Sequence, residues 1–145
     1  MGLYKPGMEK WLLPPAIDDL LPPHAEKFSV FQQQIMQVIR SYGYQLIHPP
    51  LVEYADSLNL GESADLGADM ARFADYPNGG ELGLRADFTP QAARIDARLM
   101  EKLRCNRLCY CGETFRLGNN NSAQGRSSFH IGAELFGEES IRSDM

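Results

Sequence analysis

The sequence predicts an α+β fold, an antiparallel sheet with flanking helices, on three observations. Residues 108–137, LCYCGETFRLGNNNSAQGRSSFHIGAELFG, read as strand, polar loop, strand. Residues 24–42 carry the clearest amphipathic helix pattern in the chain. A shorter hairpin pattern, ADMARFAD then YPNGG then ELGLRADF, runs straight into a helix start at Thr89-Pro90.

Taken in order, residues 1–23 form an extended N-terminal strap. Two proline pairs, Pro14-Pro15 and Pro22-Pro23, bracket AIDDLL, and proline opposes a helix interior. Trp11, Leu12, Leu13, Ile17 and Leu20 are expected to lay the strap onto the domain, the other reading being a lid or a dimer contact. The domain proper is residues 24–145. Its first helix buries Phe28, Phe31, Ile35, Val38, Ile39 and Tyr42, and Gly43 ends it. YQLIHPPLVEY then reads as a strand broken at Pro49-Pro50, because a ladder cannot run through two residues without N–H groups. His48 beside the break reads as a packed or surface residue.

The hairpin around YPNGG puts Leu82, Leu84 and Ala86 on one face, and Gly83, Arg85 and Asp87 on the other. Thr89 is placed to cap the next helix and Pro90 to occupy its first turn. In that helix Ala92, Ile95, Leu99 and Leu103 face inward, while Arg94, Asp96, Arg98 and Lys102 face out.

The chain has 145 residues, enough for one domain with a real core. Hydrophobic residues make up 43%, charged residues 23%, and the net charge is −5. That balance argues against a non-specific nucleic-acid binder. No apolar run approaches the roughly 20 residues that span a bilayer, and the N-terminus lacks a signal-peptide core. The three cysteines, Cys105, Cys109 and Cys111, lie within seven residues; Cys109 and Cys111 share one strand face, where disulfide geometry is poor, and no zinc-knuckle spacing is present. Free thiols in a reducing cytoplasm and no metal are the expectation.

Chemistry concentrates in and around the last hairpin. Asp87 precedes a helix start, where a carboxylate either caps the helix or accepts from an ammonium group. Arg116 presents a planar fork, to an ion-pair partner or to a ligand's carboxylate or phosphate. Glu134 and His130 lie four apart on one strand, on the same face as Ser128 and Gly132. Gly132 is expected to leave room there for a ligand. Ile131, Ala133 and Leu135 face the other way, toward the core. Two carboxylates with an arginine suit a free amino acid. No P-loop, dinucleotide fingerprint or nucleophile motif is present, so no catalytic residue and no cofactor is assigned.

These segments resemble the class II aminoacyl-tRNA synthetases of the histidyl type. LPPAIDDLLPPHA resembles that group's opening, and the helix leading into GYQLIHPPLVEY resembles the first class signature. CYCGETFR through FHIGAELFG resembles the second. Two groups share these features: the synthetases, and the ATP phosphoribosyltransferase regulatory subunits, which are synthetase paralogues. LGLRADFTPQAARIDARL resembles the second group, where synthetases read RPEGT. After Arg116 the chain has Leu117-Gly118-Asn119 in place of the synthetase His-x-Arg, so the acidic adenine contact is missing. The loop's basic pair is reduced to Arg126, and His130 stands at a synthetase glutamine position.

The resemblance implies a partial class II synthetase-like core over residues 24–145. It implies an amino-acid pocket at Asp87, Arg116, His130 and Glu134, with Arg126 as a phosphate contact. It also implies a cytoplasmic regulatory subunit of histidine biosynthesis that does not itself catalyse. Such a subunit joins a short-form ATP phosphoribosyltransferase catalytic subunit in a hetero-octamer, conferring activity and feedback by histidine. Histidine would be the ligand, tRNA would not bind, and a homodimer would form through the helix at 24–42 and the Pro49-Pro50 strand. The alternative is a histidyl-tRNA synthetase, charging tRNA at the expense of ATP. The family's third signature is not found, so the resemblance implies an N-terminal piece of a longer subunit.

Overall fold

A computed structural model of the chain describes residues 12–59, 69–100, 105–118 and 125–138. The first helix, α1 (His24–Ser41), begins just after the second proline pair. Glu26 in its first turn and Arg40 in its last complement the helix dipole. It ends as the glycine predicts: Gly43 adopts φ +83° and its N–H donates to the Arg40 carbonyl at 3.0 Å.

Pro49-Pro50 splits the following segment between two sheets. Before it, β1 (Gln45–Leu46) pairs in parallel with β5 (Asn106–Phe115). That strand pairs antiparallel with β6 (Ser127–Phe136), from Asn106 opposite Phe136 to Phe115 opposite Ser127. After the prolines, β2 (Val52–Tyr54) joins an antiparallel sheet with β3 (Arg72–Ala74) and β4 (Glu81–Leu84), in the order β2-β4-β3. A short helix, α2 (Ala55–Leu58), follows β2, and α3 (Thr89–Leu99) follows β4.

Arg85 ties the two sheets together. Its N–H donates to Leu51 O at 3.0 Å, and its carbonyl accepts from Phe115 N–H at 2.9 Å. Its guanidinium turns inward, where Nε and Nη2 donate to Glu113 O at 3.0 and 2.8 Å. Nη1 donates to Pro49 O at 3.1 Å, Gln91 Oε1 at 3.3 Å and Pro50 O at 3.4 Å. The carbonyls around the proline break therefore find donors from a side chain. Arg85 is 6% exposed and lies 3.8 Å from the centre of the Phe88 ring. The hairpin pattern placed Arg85 on a strand face beside Asp87; β4 instead ends at Leu84, which frees Arg85 to enter the core.

Two small cores result. Phe88, Ala92 and Tyr110 pack with Ile47 and Phe136, and Ala55, Leu58 and Met70 pack beneath Gly83. A β-carbon on Gly83 would come within 2.6 Å of Met70 Sδ, so the close approach requires glycine.

The outer elements depart from expectation. On α1, Phe28 meets Phe129 edge-on at 5.0 Å and Met36 is buried, but Phe31, Val38 and Tyr42 are 59–71% exposed. These three lie on the flank of the stripe, beyond the reach of the narrow β5-β6 ribbon. In the strap, Leu12, Leu13, Leu20 and Leu21 are 47–64% exposed. The strap is held instead through its backbone, Arg126 N–H donating to Ala16 O at 2.7 Å. Trp11 lies outside the described residues.

On α3, Ala92 is buried but Leu99 is 73% exposed, and Leu103 lies outside the described residues. Arg94 does not point to solvent, because Glu53 on β2 takes it: Nε to Oε2 is 2.9 Å. Asp96 accepts from Asn106 Nδ2 at 2.7 Å. Among the described residues no helix is long and apolar enough to cross a membrane.

Candidate functional site

Side chains alternate across β5 and β6, so one face carries Leu108, Tyr110, Gly112 and Thr114 opposite Glu134, Gly132, His130 and Ser128. The other face carries Cys109, Cys111 and Glu113 opposite Ala133, Ile131 and Phe129, and α1 covers part of it. On that side Gln32 Nε2 donates to Cys111 Sγ at 3.4 Å. Ile131 and Leu135 are half-buried there, while Ala133 is exposed. Cys105, Cys109 and Cys111 are free thiols, and burial raises the Cys109 thiol above its ordinary range. No group of three metal-ligating side chains assembles among the described residues.

The polar residues of the first face meet the start of α3. Asp87 Oδ1 accepts from Thr89 N–H at 3.1 Å, so the aspartate rather than the threonine hydroxyl serves the helix terminus. The Thr89 hydroxyl is thereby released, and it donates to Glu134 Oε1 at 2.8 Å. Tyr110 Oη donates to the same Oε1 at 3.2 Å. Arg116 completes the row, its Nε donating to Ala86 O at 3.2 Å and its Nη2 lying 3.8 Å from Asp87 Oδ2. Arg116, Asp87 and Glu134 are thus linked through Thr89 on one side of the sheet, with the Arg116 and Asp87 side chains 36% and 27% exposed.

Tyr110 is the central residue that sequence reasoning missed. Its ring stacks on Phe88 at 4.4 Å with planes 6° apart, and Arg85 covers the other side of Phe88. The ring also fills the space over Gly132, where an added β-carbon would lie 2.5 Å from it. The room that Gly132 leaves on this face is therefore occupied by Tyr110 rather than open to a ligand. Burial, with a smaller contribution from Glu134 and Asp87, raises the Tyr110 phenol from 10.0 to about 12. It is therefore a hydrogen-bond donor at any physiological pH. Alternation along β5 already placed Tyr110 on the face of Arg116, but which residue of β6 it would meet depended on the loop register.

His130 is half-buried on the same face, opposite Gly112, and its imidazole makes no hydrogen bond among the described residues. Arg126 stands apart from Glu134. Its carbonyl accepts from Arg116 N–H at 2.8 Å, and its guanidinium lies 5.0 Å from the Phe115 ring centre. Arg126 Nε is buried without a hydrogen-bond partner among the described residues. Asp87, Arg116 and Glu134 are therefore brought together, His130 shares their face, and Arg126 sits at the hairpin's loop end. A cavity of about 570 Å³ between β2 and α3, lined by Glu53, Tyr54, Ser57, Arg94 and Arg98 among others, contains none of these five.

This arrangement sets two carboxylates and a partly open guanidinium on one side of the sheet, groups that suit a cationic nitrogen and a carboxylate respectively. Comparison with known proteins shows the family. The family model described as histidyl-tRNA synthetase matches residues 16–145. The ATP phosphoribosyltransferase regulatory subunit of Hydrogenovibrio crunogenus is 41% identical over 93% of this chain and 35% of its own length. That of Bordetella petrii is 38% identical over 95% of this chain and 36% of its own. A crystal structure from Bacillus halodurans, described as an ATP phosphoribosyltransferase regulatory subunit/histidyl-tRNA synthetase, superposes with a TM-score of 0.81. It is 27% identical and covers 98% of this chain and 36% of that one. The chain spans about a third of the length of the curated relatives it matches.

Proposed function

The chain belongs to the histidyl-tRNA synthetase family, with that family's α+β class II fold, and from that premise we propose that it serves a regulatory subunit of ATP phosphoribosyltransferase. In this reading the whole protein acts in histidine biosynthesis in the cytoplasm. It does not charge tRNA. It assembles with a short-form catalytic subunit into a hetero-octamer and is required for that partner's activity and for its inhibition by histidine. Ligand binding biases the assembly between states of unequal affinity, which is what feedback requires.

The observation that carries the proposal is an imbalance at the hairpin. The amino-acid end keeps Asp87, Arg116 and Glu134 in one row, joined by hydrogen bonds through Thr89 and by the Arg116–Asp87 ion pair. The nucleotide end has Leu117 where the synthetase pattern reads histidine, and Arg126 lies against Phe115. Identity near 40% to proteins named as regulatory subunits supports the same choice. Histidine is the ligand proposed for the pocket, with His130 beside it and Arg126 as a phosphate contact. The residues at 24–145 form the ligand-binding core in this proposal, and those at 1–23 the strap. The exposed side chains of Phe31, Val38 and Tyr42 on α1, with Leu46, Leu51 and Tyr54 around the proline break, support a homodimer contact there.

The test is made on the full-length protein that carries this chain. It should co-purify with a short transferase subunit, raise that subunit's transfer of a phosphoribosyl group to ATP, and make the reaction sensitive to histidine. Histidine-dependent exchange of pyrophosphate into ATP would replace this reading with that of a synthetase.

A further inference from the structure

Glu134 is held unevenly. Oε1 accepts two hydrogen bonds, from Thr89 Oγ1 at 2.8 Å and from Tyr110 Oη at 3.2 Å. Oε2 accepts none among the described residues, although Glu134 is half-buried. Oε2 is not sealed from solvent, so it is open to a donor from outside, and a cationic N–H is the strongest one it can accept. The two donors are themselves fixed. Thr89 is the first residue of α3, tied by its N–H to Asp87, and the Tyr110 ring is clamped between Phe88 and Gly132.

We propose that Tyr110 is a positioning residue of the pocket, which with Thr89 fixes the Glu134 carboxylate so that Oε2 meets the ligand's cationic nitrogen. Tyr110 does this without being the ligand's principal contact. Its ring closes the sheet surface over Gly132, so the ligand lies across the row from Glu134 to Arg116 and does not enter between the strands. Pre-set orientation removes the rotamer cost that a free glutamate side chain would bear on binding. The inference rests on the amino-acid pocket proposed above.

Calorimetry on the full-length protein separates the two ideas. The probes are histidine and histidinol, which keeps the amine and the ring but lacks the carboxylate. Tyr110→Phe retains the ring stack and removes one donor. It should weaken both probes by the same factor, about fivefold to tenfold, with thermal stability little changed. Thr89→Val should do likewise, and Thr89→Ser should restore the wild-type affinity. Arg116→Ala should weaken histidine and spare histidinol. If Tyr110→Phe and Thr89→Val bind as the wild type does while Glu134→Gln loses binding, the positioning role is wrong and the pocket stands. If the wild type binds neither probe, the pocket reading fails and the positioning role goes with it.

Discussion

Two arginines, Arg85 and Arg116, lie at opposite ends of one short stretch of contacts and lead different lives. Arg85 is 6% exposed and its guanidinium donates five hydrogen bonds among the described residues, four of them to backbone carbonyls. The Arg116 guanidinium donates one hydrogen bond to a carbonyl among the described residues and stands 3.8 Å from a carboxylate, with over a third of the side chain exposed. The same guanidinium is a strut in the first place and an open hand in the second. What separates them is how fully the donors are used. A saturated cation holds the fold, whereas an unsaturated one retains capacity for a ligand. The same contrast divides the Glu53–Arg94 pair, whose Glu53 also accepts from buried Gln91, from the half-used Glu134 carboxylate.

The sharpest way to break the contrast is to remove Arg85. Arg85→Met leaves the carbonyls of Pro49 and Glu113 without their donor and strips the Phe88 ring of its cation. Chemical denaturation should show a loss of more than about 3 kcal/mol. A loss under about 1 kcal/mol would mean that the two arginines are alike after all. Glu53→Gln should come next, at about 2–3 kcal/mol by the same measurement, because Arg94 is mostly buried and would lose its counter-charge. Gly132→Ala drives a methyl group into the Tyr110 ring, and overpacking of that kind costs about 1–3 kcal/mol. Arg116→Ala should cost under about 1 kcal/mol in stability, its effect falling on ligand affinity instead.

The smallest effect is a pH dependence. The Tyr110 phenol is raised from 10.0 to about 12, so the folded state holds that proton more firmly than the unfolded chain. Its contribution to stability is therefore complete below pH 10 and disappears as the pH climbs toward 12. Tyr110→Phe should flatten the alkaline limb of a stability–pH curve, and an unchanged slope would show that the phenol is not under the strain of burial.

Much of this was readable in advance, and for identifiable reasons. The helix at 24–42 and its stop at Gly43, the break at Pro49-Pro50, and the long last hairpin all follow from local rules of periodicity and backbone chemistry. The shared face of Glu134 and His130 follows from strand alternation alone. What local rules missed were partnerships between elements far apart in the chain. Arg94 looked solvent-facing until β2 brought Glu53 beside it. Thr89 looked like a cap until Asp87 took that role and β6 offered Glu134 to its hydroxyl. Gly132 looked like an opening until the register set Tyr110 across from it.

By itself the sequence determined the order and kind of the elements and which side chains lie on one strand face, because those depend on neighbours a few residues away. Tertiary structure alone decided which charges are spent and which remain available, because that depends on donors and acceptors delivered from separate strands and helices. Arg85 and Arg116 are the same residue type in the sequence, and only the assembled sheets tell them apart.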